Sequence, residues 1–147
     1  MSDSSPAFFL ERFVQAQDPV WNTVRAELRA GAKRTHWMWF VFPQLAALGR
    51  SSTARFYGLQ GAAEARAYGQ HALLGPRLRE AAALVLAVRG RSVHDIFGSP
   101  DDLKLRSCMT LFEAVAPEEP VFAQVLDQCC GGERDPLTLQ LLGASQV

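Results

Sequence analysis

Proline placement constrains this chain more than any other feature. Six of its eight prolines, Pro6, Pro19, Pro76, Pro100, Pro120 and Pro136, stand where the first turn of a helix would begin. A missing N–H costs nothing there, because the first four helical N–H groups have no partner within the helix. Ser5, Asp18, Ser99 and Asp135 precede four of these prolines and suit the N-cap position. Gly31, Gly90, Gly98, Gly131 and Gly143 lie where the same helices should stop.

The apolar spacing between these marks is helical. Leu10, Phe13 and Val14 make one stripe, and Val20, Val24 and Leu28 a second. Leu78, Ala82, Val85 and Leu86 make a third, followed by Leu105, Met109, Phe112 and Ala116. Strict two-residue alternation is almost absent. The expectation is an all-α domain of eight or nine helices, several of them short, spanning residues 1–147 as one unit. The segment Trp37-Met38-Trp39-Phe40-Val41-Phe42 is aromatic and β-branched enough to suit a strand. A lone strand would have nothing to pair with, so a short buried helix capped by Thr35 is the better reading. Phe13, Trp37, Phe40, Phe42, Leu105, Met109 and Phe112 are the expected core.

Composition narrows the function. Fifteen basic and fifteen acidic side chains cancel. The arginines are dispersed rather than massed, which argues against a nucleic-acid-coating protein. No apolar run is long enough for a membrane span. The first residues lack the basic flank and apolar core of a signal peptide, so a reducing cytoplasm is the expected setting for Cys108, Cys129 and Cys130. The cysteine and histidine spacings suit no metal, and no cofactor motif is present.

Three polar constellations remain. The first runs from Lys33 through His36, Trp37 and Trp39 to Gln44. A tryptophan here could wall a base or sugar ring while Lys33 and His36 face a phosphate, although tryptophans are first of all core anchors. The second is Tyr57, Glu64, Tyr68 and His71, of which the last three would share one helix face. A carboxylate, a phenol and an imidazole on one stripe can form a buried hydrogen-bonded network, or supply acid–base groups. The third joins Asp101, Lys104 and Ser107 along a helix whose first turn carries Asp101 and Asp102. Lys33 and Lys104 are the only lysines, and both lie inside these constellations.

The segments carrying these residues resemble a bacterial family, Domain of Unknown Function 1810, whose members have sometimes been labelled calpastatin-like. The matching stretches are Arg12-Phe13 with Ala16-Gln17, the block from Gly31 to Gln44 and Leu48-Gly49-Arg50-Ser51, then Tyr57, Glu64-Ala65, Tyr68 and His71. Leu74-Gly75, Arg77-Leu78, Phe97-Gly98, the run from Lys104 to Phe112, and Asp135, Thr138 and Leu142 follow. The likeness covers residues 10–142. Gly69 and Cys108 depart from it, standing where an aliphatic residue and a serine are expected. The resemblance implies a mainly helical fold and brings no activity, substrate or partner. Nothing here is similar to a disordered protease-inhibitor repeat.

Three functions fit these residues. In one, a small-molecule site takes an anionic nucleotide-like or ADP-ribose-like ligand. Lys33, Trp37, Trp39, Gln44, Tyr57, Tyr68, Lys104 and Ser107 would bind it, and Glu64, His71 and His36 would do acid–base work such as hydrolysis. In another, the chain is a helical protein-interaction module without catalysis. The third is a regulatory binding domain without turnover. The opposing view of the polar residues pairs Glu64 with a nearby arginine and Lys104 with Asp101, which would stabilise the fold and bind nothing.

Overall fold

Stripes repeating at helical spacing bury their apolar faces only against one another, and the computed structural model, describing residues 8–145, shows how. Ten α-helical segments follow in order: α1 (Glu11–Gln17), α2 (Trp21–Ala30), α3 (Met38–Val41), α4 (Ser52–Phe56), α5 (Ala62–Gln70), α6 (Leu74–Ala87), α7 (Val93–Phe97), α8 (Asp101–Val115), α9 (Pro120–Cys129) and α10 (Pro136–Ser145). Nine have five residues or more, and α3 is a single turn. Two short 3₁₀ turns, Asp18–Val20 and Ala46–Leu48, complete the path. The described residues contain no sheet, only one isolated bridge between Leu45 and Leu59. The all-α expectation is met.

Helix α8 is the axis. From Ser107 to Phe112 every residue is buried, as expected of a helix surrounded by protein rather than lying on a surface. It packs against α5, α7, α9 and α10, while α6 packs against α2, α5 and α9. One hydrophobic core runs from Leu10 to Leu142. Of the expected core residues, Phe13, Trp37, Phe42, Leu105, Met109 and Phe112 are buried, and Phe40 is half-buried at the edge. Within Trp37–Phe42 a short helix does form, over Met38–Val41, with Trp37, Met38, Val41 and Phe42 buried and Trp39 and Phe40 half-buried. Trp37 is its N-cap residue, with no side chain capping it. Thr35 does not cap this helix. Its hydroxyl is drawn to Glu27, at 2.8 Å.

The punctuation is followed with shifts that have local causes. Pro120 and Pro136 open α9 and α10 as expected. Pro19 sits in the 3₁₀ turn that leads into α2. Pro76 is the third residue of α6, still inside the turn whose N–H groups have no helical partner. Pro100 is itself the N-cap residue of α8, and no side chain caps that helix, Ser99 included. Pro6 and Ser5 lie outside the described residues. Gly31 ends α2 in the left-handed conformation, at φ 69°. Gly143 lies within α10 instead of ending it, and buried Leu142 anchors that last turn to the core.

Candidate functional site

Helix α2 ends at Gly31, and the loop that follows is organised by Glu27. Its carboxylate accepts hydrogen bonds from the Arg34 N–H at 2.9 Å, the Thr35 N–H at 3.2 Å and hydroxyl at 2.8 Å, and the Trp37 indole N–H at 2.8 Å. Burial works against its charge. The four donors together outweigh that and hold the carboxyl below its ordinary range. The Lys33 N–H donates to the Ile96 carbonyl at 2.8 Å, and Arg91 donates to the Gly31 carbonyl at 2.7 Å, so the loop is also tied to α7. No local spacing announces Glu27 in this role. It looks like any acid in a helix.

With Trp37 pinned, the Lys33 ammonium lies 5.1 Å from the centre of its indole and 3.1 Å from Asp101. Asp101 sits in the first turn of α8 and also receives Lys104 at 3.6 Å. Lys104 in turn lies 5.8 Å from the centre of the Trp39 ring. The two lysines, 71 positions apart in sequence, therefore meet on one carboxylate. Lys33 is almost buried, and Lys104 is a quarter exposed. Lys104 faces a narrow recess of about 220 Å³ that Trp39, Gln44 and Tyr57 also line. Neither the Gln44 amide nor the Tyr57 hydroxyl hydrogen-bonds another described residue. His36 is exposed, its ring 6.5 Å from that of Trp39.

The remaining predicted site residues are placed elsewhere. Glu64 is buried and pairs with buried Arg12 at 3.1 Å, while its other oxygen accepts the Gln60 N–H at 2.8 Å. Arg12 spends its other donors on the carbonyls of Phe9, Phe56 and Gly58. Tyr68 is fully buried, and burial pushes its phenol well above the ordinary range. Its hydroxyl takes the Gln17 amide N–H at 3.0 Å, and that amide also donates to the Phe40 carbonyl. The expected common face of Glu64, Tyr68 and His71 is broken because α5 ends at Gln70. His71 is already extended, and its Nδ1 accepts the N–H groups of Leu73 and Leu74 at 3.1 and 3.2 Å, capping α6. Ser107 donates to Asp135 at 2.9 Å, and Asp135 accepts the Thr138 N–H and hydroxyl, docking α10 on α8. Lys33 and Lys104 thus meet in one cluster, while Glu64, Tyr68, His71 and Ser107 each serve a separate structural network.

No group of three metal-ligating side chains occurs among the described residues. The cysteines are free thiols, with Cys108 buried. Burial raises all three, Cys130 to about 11, so none is poised as a thiolate nucleophile at neutral pH.

The fold and the lysine cluster define a small all-α domain with a recess to which Lys104 brings its charge. No helix among the described residues is long and apolar enough to cross a membrane. The chain belongs to the family described as "Protein of unknown function (DUF1810)", which matches residues 7–142. It is similar to the conserved hypothetical protein Rv1873 from Mycobacterium tuberculosis, whose crystal structure is known at 1.38 Å. The two share 54% sequence identity, the match covers 93% of this chain and 98% of that one, and the TM-score is 0.92. No curated protein matches.

Proposed function

We propose that this domain binds a small anionic, nucleotide-like ligand at the recess of Trp39, Gln44, Tyr57 and Lys104. One observation carries the reading. Two ammonium groups share a single carboxylate, leaving an excess positive charge beside an unspent amide and an unspent phenol. Partly desolvated charge of this kind attracts an anion more strongly than a lysine on open surface. Trp39 offers its indole to a ring, and His36 stands at the edge. The recess is narrow, with room for about one water molecule, so the ligand would lie across its mouth rather than inside it. Binding without turnover is favoured over hydrolysis, because Glu64 is sealed by Arg12 and Gln60 and His71 commits its Nδ1 to the start of α6, away from the recess.

The test is a thermal-shift titration with inorganic phosphate, AMP and ADP-ribose. A ligand present at a hundred times its dissociation constant should add about 2.7 kcal/mol of stability. Lys104→Met should abolish that shift. If no compound shifts the wild-type protein, or Lys104→Met keeps the shift, the reading fails.

A second reading, an interaction module, rests on Phe9 and Phe56. Both are more than half exposed and stack edge to face at 6.5 Å, and Arg12 donates to both of their carbonyls. Exposed aromatic pairs of this kind mark partner surfaces. Substituting both by serine should leave the ligand-dependent shift intact and remove any protein partner.

A further inference from the structure

A second pocket, of about 400 Å³ of open space, lies between α5, α6 and the turn that joins α8 to α9. Its floor is apolar, formed mainly by Leu78, Phe112 and Phe122, the two phenyl rings standing 5.7 Å apart. Its depth comes from a missing side chain. Gly69 is the next-to-last residue of α5. A Cβ added there would meet only the Phe112 ring edge, at 4.0 Å, so packing does not require the glycine. Gly75 is the opposite case. Its Cβ would stand 2.2 Å from the Gly69 carbonyl oxygen, so the close approach of α6 to α5 beside the pocket depends on it.

The rim carries both signs of charge. Arg66 comes from α5 and Arg79 from α6, while Glu118 and Glu119 come from the α8–α9 turn. Almost none of this charge is spent. Arg79 reaches Glu119 only at 3.9 Å and the Gly69 carbonyl at 3.5 Å, both at the outer limit of useful contact. Arg66 and Glu118 make no ion pair with another described residue. Elsewhere the protein pairs its charges closely, as Arg134 does with Glu113 at 2.6 Å and Asp127 at 2.7 Å. A balanced rim of unspent cations and anions over an apolar floor is complementary to a zwitterion on an apolar body. The enclosed part is narrow, so only an apolar side chain would enter it, with the charged head left at the rim.

We infer that this pocket, separate from the lysine recess, binds a free apolar α-amino acid. Its side chain would rest on Phe112 and Phe122, its carboxylate would meet Arg66 and Arg79, and its ammonium would meet Glu118 and Glu119.

Calorimetric titration of the full chain with L-leucine and L-phenylalanine tests this. At least one of them should bind saturably, while glycine, which has the head without the body, should not. The analogues 4-methylpentanoate and isopentylamine, each lacking half of the head, should bind at least about tenfold more weakly, a loss of one charge-assisted contact. Gly69→Leu should fill the pocket and lower affinity by at least about tenfold, with a melting temperature at or above that of wild type. Gly69→Ala, a smaller change, and Arg66→Met, at an exposed position, should each weaken binding if the leucine variant does not fold. The inference is overturned if neither amino acid binds, if glycine or either half-head analogue binds as well, or if the pocket variants bind like wild type. It is also overturned if Lys104→Met removes the binding, which would place the amino acid in the other recess.

Discussion

Two ion-pair clusters in this domain use the same chemistry to opposite ends. Arg12 and Glu64 are both buried, and all three nitrogens of the guanidinium and both oxygens of the carboxylate are engaged. Lys33, Asp101 and Lys104 are partly open, with two cations on one anion and unspent polar groups beside them. The first cluster spends nearly all of its hydrogen-bonding capacity within the fold. It ties α1 to the start of α5 and to the backbone after α4. The second is left one negative charge short. Full satisfaction makes a structural pin, and incomplete satisfaction makes a candidate site.

Breaking the pin should have the largest effect. Glu64→Gln leaves the Arg12 charge buried without its counterion, which typically costs about 3–5 kcal/mol. For a chain of this length that is a fall in melting temperature of roughly 10 °C, measurable by calorimetry or urea unfolding. A loss below about 1 kcal/mol, the range of an exposed pair, would erase the contrast between the clusters.

Glu27 comes next, because it resembles the pin in being saturated with donors yet supports the open cluster by holding Trp37. Glu27→Gln should cost about 1–3 kcal/mol, since an amide cannot accept what a carboxylate accepts. The pH dependence has a definite sign. The folded carboxyl titrates below its unfolded value of about 4.3, so its stabilisation is complete above that value and is lost as pH falls through the lower, folded one. Urea midpoints of the variant and the wild type between pH 3 and 7 should differ most at neutral pH and converge in acid.

Tyr68→Phe removes the buried hydroxyl that accepts from Gln17 and should cost about 1 kcal/mol by chemical denaturation. It should leave ligand binding at the Lys104 recess unchanged. A lost ligand shift would join Tyr68 to the site after all.

Lys104→Met should change stability least, by about 0–1 kcal/mol, with the difference shrinking as salt is added. The same substitution is the one expected to abolish the anion-dependent shift. A large loss of stability would make the open cluster a second pin.

The secondary structure was legible because its causes are local. Proline at a first turn, an aspartate before it and a glycine after the last apolar residue act within a few positions of themselves. Asp135 before Pro136 does cap α10, through Thr138. The aromatic run could be read as a buried helix by elimination, since no second strand existed to pair with it. Polar residues were legible as important but not as to role. Glu64 looked like an acid on a stripe with Tyr68 and His71, and an arginine partner was one of its two readings. That this partner is Arg12, 52 positions earlier, follows only from the packing of α1 on the rest of the domain. His71 looked catalytic because its spacing continued the helix. The helix ends one residue too soon for that, and the imidazole caps the next one.

The sequence by itself determined an all-α chain, its approximate helix starts and most of its core, because helix signals and apolar periodicity act over a few residues. It also marked both lysines as belonging to one functional question. Tertiary structure alone decided that Lys33 and Lys104 meet on Asp101, that Glu64 is sealed by Arg12, and that Gly69 stands over an open pocket. Each of these depends on helices distant in sequence arriving at one place. The same carboxylate becomes a pin or part of a site according to how many donors that arrival brings to it.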